Sequence, residues 1–218
     1  MTCRAVMFDL DGTLLDTVED LADAMNHALA ANGLPTHPDY EDHKHFVGDG
    51  VATYVRRALP ADRRGDGNLA ARVTADYRAA YAEGWADKTR PYDGVPDLLE
   101  ELARRGLRLA VLSNKPQDTT EATVRAFLGA DAFEAIRGAR EGVPLKPDPA
   151  AALDIAAGMG VSPSDFLYVG DTATDMQTAV AAGMYAVGAL WGFRGADELR
   201  GAGARTLIQR PGELLELL

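Results

Sequence analysis

The chain carries 218 residues, 47% of them hydrophobic and 25% charged, a balance that suits a globular protein and excludes a disordered or fibrous one. Lys+Arg 22 against Asp+Glu 33 give a net charge of −11, which argues against nucleic acid or an anionic membrane as partner, and no basic run offsets it. The single cysteine, Cys3, rules out an intrachain disulfide and a Cys-rich zinc site, and no stretch approaches the roughly 20 apolar residues of a membrane span.

Residues 5–10 (AVMFDL) read as a buried strand stopped by Asp11-Gly12. No signal-peptide pattern precedes them, so a cytoplasmic setting is expected. Thr17 is placed as the start of a helix, with Asp20 three residues on as a weaker form of the capping box. Leu21, Ala24, Met25, Ala28 and Leu29 then recur at helical spacing until Gly33. From His37 to about Arg90 the pattern is helical, best over residues 51–59 and 69–85. After Pro91 the rhythm changes. A helix marked by Leu98, Leu99 and Leu102 closes at Gly106, and residues 107–112 (LRLAVL) form a strand that ends before Ser113-Asn114. There follow a helix near 119–128, a short strand at 135–137, a helix at 150–159, a strand at 166–169, a helix from about 175 to 182, strands at 185–189 and 206–208, and a C-terminal helix. Strands alternating with helices imply an α/β chain with a doubly wound parallel sheet, and the block from about 18 to 88 reads as an inserted, all-helical domain.

Open parallel sheets bind ligands beyond the carboxyl ends of their strands. Asp9 and Asp11 follow the first strand, Ser113 and Asn114 the second, Gly170 and Asp171 a third, and Lys146 lies in the loop PLKPDP. Carboxylates without His or Cys suit a hard cation, Mg²⁺ above all, and Asp9 and Asp171 are its candidate ligands. A carboxylate such as Asp9 can attack phosphorus to give an aspartyl-phosphate while Lys146 offsets charge on the transferring group. Asp11, two residues on and on the same face of an extended segment, is placed to act as acid and then base. Each piece alone also fits ordinary turn chemistry; an EF-hand does not fit, since Leu14 stands where that loop needs Gly and Asp20 where it needs Glu. The convergence at strand ends favours a site.

Taken together, FDLDGTLLDT (residues 8–17), LSN (112–114), KPDP (146–149) and VGDTATD (169–175) resemble, in order and spacing, the four motifs of the haloacid dehalogenase-like superfamily. The resemblance implies a Rossmann-like core, residues 1–17 and 89–218, carrying a helical cap, 18–88. It implies Asp9 as nucleophile, Asp11 as general acid/base, and Mg²⁺ held by Asp9, the Asp11 carbonyl and Asp171, with Asp175 close by or one layer out. Ser113, Asn114 and Lys146 would bind phosphate. Relatives that cleave carbon–halogen bonds lack the second Asp, so Asp11 points to phosphate esters. FVGDGV (46–51), RRAL (56–59), SNKP (113–116) and VGALWGFRG (187–195) are similar to the phosphoglycolate phosphatase family within it. The expected activity is therefore hydrolysis of a small phosphorylated metabolite, 2-phosphoglycolate first, with sugar phosphates, nucleotides or pyrophosphate next and a phospho-Asp receiver as the alternative from another class. In the cap, Gly48 and Gly50 would let backbone approach a substrate, and His43, Lys44 and His45 either bring positive charge to its carboxylate or form a solvated loop. Oligomeric state stays open between monomer and homodimer.

Overall fold

Every residue of the first strand, β1 (Ala5–Phe8), is buried, as a strand covered on both faces must be. The computed structural model describes residues 3–218; residues 1–2 of the expected core lie outside the described residues. In chain order, β1 and the two-residue β2 (Leu15–Asp16) precede α1 (Val18–Ala31), α2 (Tyr40–Phe46), α3 (Val51–Ala58) and α4 (Gly67–Gly84). There follow β3 (Arg90–Pro91), α5 (Val95–Arg104), β4 (Arg108–Pro116), α6 (Gln117–Phe127) and β5 (Ala135–Ala139). The last part holds α7 (Ala150–Gly158), β6 (Phe166–Gly170), α8 (Ala173–Ala181), β7 (Tyr185–Ala189), α9 (Ala196–Gly201) and β8 (Thr206–Ile208). The chain divides into two compact units, Met1–Asp16 with Pro91–Leu218, and Thr17–Arg90.

The first unit is an α/β domain built on a six-stranded sheet in the order β5-β4-β1-β6-β7-β8, every described pairing parallel. From β1 the chain steps outward to β4 and β5, then returns to build β6, β7 and β8 on the other side. The order therefore reverses beside β1, and the crevice beyond its carboxyl end is the topological switch point. Alternation divides the core. Val6, Phe8, Leu167 and Val169 face one layer with α5 residues Val95, Leu98, Leu99 and Leu102. Met7, Phe166 and Tyr168 face the other with Ile155 of α7 and Met176 of α8. Alternate residues of adjacent strands thus enter opposite layers, both of them buried.

The second unit is helical. On α4, Leu69, Val73, Tyr77 and Tyr81 are buried at four-residue spacing, facing Leu21, Met25, Ala28 and Leu29 of α1, with the Tyr77 and Tyr81 rings stacked at 5.8 Å. His43 belongs to this interior, its Nδ1 2.7 Å from the Tyr54 hydroxyl and Nε2 2.9 Å from the His37 carbonyl oxygen. Burial pushes its imidazole below the ordinary value, which disfavours the charged form.

Three sequence expectations need correction. The predicted capping box at Thr17 does not form: Thr17 caps α1 by position but its buried hydroxyl has no partner, while Asp20 accepts from Lys88 N at 3.0 Å, Thr89 N at 2.8 Å and the Thr89 hydroxyl at 2.7 Å. A carboxylate offered three donors from a distant segment outcompetes a single local one. The second strand does not stop at Leu112 but runs to Pro116, because Pro holds the preceding residue extended and Pro116 pairs again with Ala139 after a register shift. The C-terminal helix is a 3-10 helix, Pro211–Leu217.

Candidate active site

The register that pairs Phe8 with Val111 and Val169 brings three strand ends together. Asp9 leaves β1 as its backbone N–H donates to the Val169 carbonyl at 2.9 Å, and Asp171 follows β6 directly. Asp175 lies one turn into α8. There a capping box does form: the Asp175 carboxylate accepts from Thr172 N at 3.1 Å and from the Thr172 hydroxyl at 2.7 Å. Asp9, Asp171 and Asp175 are all buried and offer oxygens within 4.8 Å of one another.

Lys146 reaches this group from the loop before α7. Its Nζ lies 2.9 Å from Asp9 Oδ1 and 2.7 Å from Asp175 Oδ1, and donates to the Leu112 carbonyl at 3.0 Å. Burial would lower the lysine's pKa, but the two carboxylates outweigh it and hold the ammonium charged. Within the cluster, three carboxylates still face one ammonium. Burial, reinforced by the Asp175 charge and only partly countered by Lys146, pushes Asp9 well above the carboxylate range. Burial and Asp175 push Asp171 up to about 7, against hydrogen bonds from Phe193 N at 2.8 Å and the Thr13 hydroxyl at 2.8 Å. An all-oxygen donor set whose carboxyls are held above their ordinary range by burial and by one another is one that a hard divalent cation would fit.

Asp11 points elsewhere. Both its oxygens receive Lys115 Nζ, at 3.0 and 3.2 Å, and Lys115 is itself buried. Ser113, also buried, accepts from Lys115 N at 3.2 Å. The Asn114 side chain is committed to Lys146: its Oδ1 accepts from Lys146 N at 2.9 Å and its Nδ2 donates to Lys146 O at 3.1 Å. It therefore sets the loop that carries the lysine. In the helical unit, Lys44 pairs with Glu41 at 2.6 Å, and Gly48 and Gly50 adopt φ of 120° and 84° between α2 and α3, a region that glycine alone enters without strain.

Sequence reading missed Lys115, Thr13, Thr172 and the Phe193 N–H. Lys115 stood in the SNKP stretch, but its partner is 104 residues away and no local pattern announces the pair. Thr13 was closer to legible: it sits four residues after Asp9, on the turn whose Gly12 comes so near Asp171 that a Cβ there would lie 2.3 Å from its Oδ2.

The sequence profile of the haloacid dehalogenase-like hydrolases matches residues 6–189. A phosphoglycolate phosphatase of Pseudomonas putida is 40% identical over 195 residues, 87% of this chain and 70% of that protein. One from Chromobacterium violaceum is 35% identical over 217 residues, 99% and 96% of the two chains. A crystal structure of a protein from Lactobacillus delbrueckii superposes with a TM-score of 0.93 at 30% identity, covering 100% of this chain and 98% of its own. None of the described helices is long and apolar enough to cross a membrane. With a profile spanning both the β1 carboxylates and the Asp171 turn, and relatives matched across nearly the full length, the chain belongs to the haloacid dehalogenase-like hydrolases and is an enzyme of the phosphatase class.

Proposed function

We propose that the chain is a Mg²⁺-dependent phosphomonoester hydrolase that works through an aspartyl-phosphate on Asp9, with 2-phosphoglycolate as its substrate in the cytoplasm. The observation that carries the reading is the buried cluster of Asp9, Asp171 and Asp175 around Lys146 at the sheet's switch point. Its buried, all-oxygen donor set supports a divalent ion held by Asp9, the Asp11 carbonyl and Asp171. Asp175, with one oxygen on Lys146 and the other on Thr172, fits a role one layer out, fixing the lysine. When bound, Mg²⁺ supplies positive charge against the nonbridging phosphoryl oxygens.

The chain's own groups do the rest. An Asp9 carboxylate oxygen forms a bond to phosphorus as the ester P–O bond breaks, and the departing oxygen takes its electron pair and a proton from Asp11. Asp11 then accepts a proton from water as that water's oxygen attacks phosphorus. The bond from phosphorus to Asp9 breaks, inorganic phosphate leaves, and both carboxyl groups return to their starting forms. Lys146 and Ser113 hold the nonbridging oxygens, and Asn114 holds Lys146. In the helical unit, Lys44, Gly48 and Gly50 remain the candidates for substrate contact. The names of the relatives support the choice of 2-phosphoglycolate.

Phosphate release from a panel of small phosphoesters, with Mg²⁺ and with EDTA, tests the proposal. 2-Phosphoglycolate is expected to give the highest kcat/KM, only with the metal. Asp9→Asn should lose on the order of 10³-fold or more in kcat with its fold intact, and Asp11→Asn should stall with or before phosphorus on Asp9. Retained Mg²⁺-dependent turnover by Asp9→Asn would remove the nucleophile from the account.

A further inference from the structure

Two buried lysines reach the site, and the mechanism above uses only one. Lys146 Nζ is committed to Asp9, Asp175 and the Leu112 carbonyl, the side where the phosphoryl group is transferred. Lys115 lies against Asp11, with a side chain only 4% exposed. Resting on the phosphatase reading and deepening it, we infer that Lys115 selects a leaving group that bears a carboxylate.

Asp11 can protonate the departing oxygen only if that oxygen sits beside its carboxylate, and Lys115 Nζ lies 3.0 and 3.2 Å from the two oxygens of that same carboxylate. A cation one hydrogen bond from the leaving oxygen gives nothing to a neutral alcohol. It would instead hold back the Asp11 side chain. To a glycolate it gives a great deal: the carboxylate begins one carbon from the ester oxygen, so placing that oxygen at Asp11 brings the carboxylate within reach of Nζ. The ammonium then bridges Asp11 and substrate. Without such a cation, an anionic leaving group would enter a site that already holds Asp9, Asp11, Asp171 and Asp175 and be repelled.

The backbone carrying Lys115 is held for such a task. Its N–H donates to Ser113 Oγ at 3.2 Å and its carbonyl accepts from the Thr120 hydroxyl at 3.1 Å. Gly138 of β5 packs so close that a Cβ there would stand 2.6 Å from that carbonyl. Ser113 and Lys115 both lie where β4 shifts its register against β5, between Leu112 and Pro116, and the Lys115 N–H bond to Ser113 Oγ ties the phosphate ligand to the selector.

The test compares kcat/KM for 2-phosphoglycolate and for its carboxamide counterpart, an isostere without the charge, using the Mg²⁺-loaded full chain. The wild type should favour the carboxylate by roughly 100-fold, the scale of a buried charge pair. Lys115→Met should slow both esters, since Asp11 loses its anchor, but bring the ratio near one, mainly through KM for the carboxylate. Lys115→Arg should recover part of the ratio, and serves in place of Lys115→Met should that variant fail to fold, the ratio then responding to the altered cation. An equal fall on both esters, or a wild type that does not discriminate, overturns the inference while leaving the phosphatase reading intact. A wild type that hydrolyses neither ester nor any other phosphoester defeats the phosphatase reading itself and the inference with it.

Discussion

Asn114 shows how one side chain serves a neighbour's backbone. Its amide is buried and spends its oxygen on Lys146 N and its nitrogen on Lys146 O, closing a two-bond clasp on the loop that delivers the ammonium to Asp9. Replacing it by alanine removes both bonds and strands the Lys146 N–H and carbonyl in a buried place. At roughly 1 kcal/mol for each lost bond, with further cost for the stranded groups, Asn114→Ala should destabilise by about 2–3 kcal/mol. It should also lower kcat more than it raises KM, because Lys146 is then misplaced where charge develops. Urea unfolding and steady-state kinetics check this; a variant within about 0.5 kcal/mol of wild type would mean the clasp does not hold the loop. Glycines act at the same scale by absence. A Cβ on Gly192 would come within 2.3 Å of both Asp171 Cβ and the Gly12 carbonyl, so the three loops around Asp171 close only because two of them lack side chains. Asp9, Asp11, Lys146 and Asp171 were legible because each stands just past an apolar run or beside a proline. Lys115 and the Asn114 clasp were not, since a pairing across 104 or 32 residues leaves no trace in local spacing.

At the scale of elements, the start of α1 separates position from bonding. Thr17 has the residue type and the place of a helix cap, and sequence reading paired it with Asp20. The folded unit spends Asp20 on Lys88 and Thr89 instead, joining the first turn of α1 to the end of the segment that begins with it. Thr17→Val, which keeps the shape and removes a hydroxyl without a partner, should therefore change stability by less than about 0.5 kcal/mol, not the ~1 kcal/mol that losing a working cap costs. Asp20→Ala should cost about 2–4 kcal/mol, because two backbone N–H groups and a hydroxyl lose a charged acceptor together. Denaturant titrations of both variants decide it, and the reverse ranking would restore the capping box. Strand β4 makes a similar point. Hydrophobic periodicity ends at Leu112, where the reading ended the strand, yet the backbone stays extended through the polar, site-forming residues to Pro116. Strand ends are hardest to read where function replaces apolar side chains with polar ones.

For the whole molecule, the alternation of apolar strands and amphipathic helices was enough to read a parallel, doubly wound sheet, because both faces of each inner strand are buried and the sequence must say so. What no strand reveals alone is the charge gathered at the switch point, which exists only once β1, β6 and α8 are assembled. That charge ties the stability of the fold to pH and metal. In the metal-free protein, burial first and the Asp175 charge second push Asp171 from its ordinary 3.8 up to about 7. The folded state then binds a proton that the unfolded chain has released, so this group's contribution to stability is full below 3.8 and is lost as pH rises through about 7. Metal-free protein should accordingly be less stable at about pH 8 than at about pH 6 from this cause. A divalent ion at the cluster takes the place of the proton, and at a hundredfold excess over its Kd should add about 2.7 kcal/mol, or roughly 5–10 °C in Tm for a chain of this size. Proton competition makes that increment smaller at about pH 6 than at about pH 8. Thermal unfolding in EDTA and in Mg²⁺ at the two pH values measures it in the wild type and in Asp171→Asn, where the gap should nearly vanish. An increment that ignores pH, or that survives the loss of the Asp171 charge, would place the ion's binding outside this cluster.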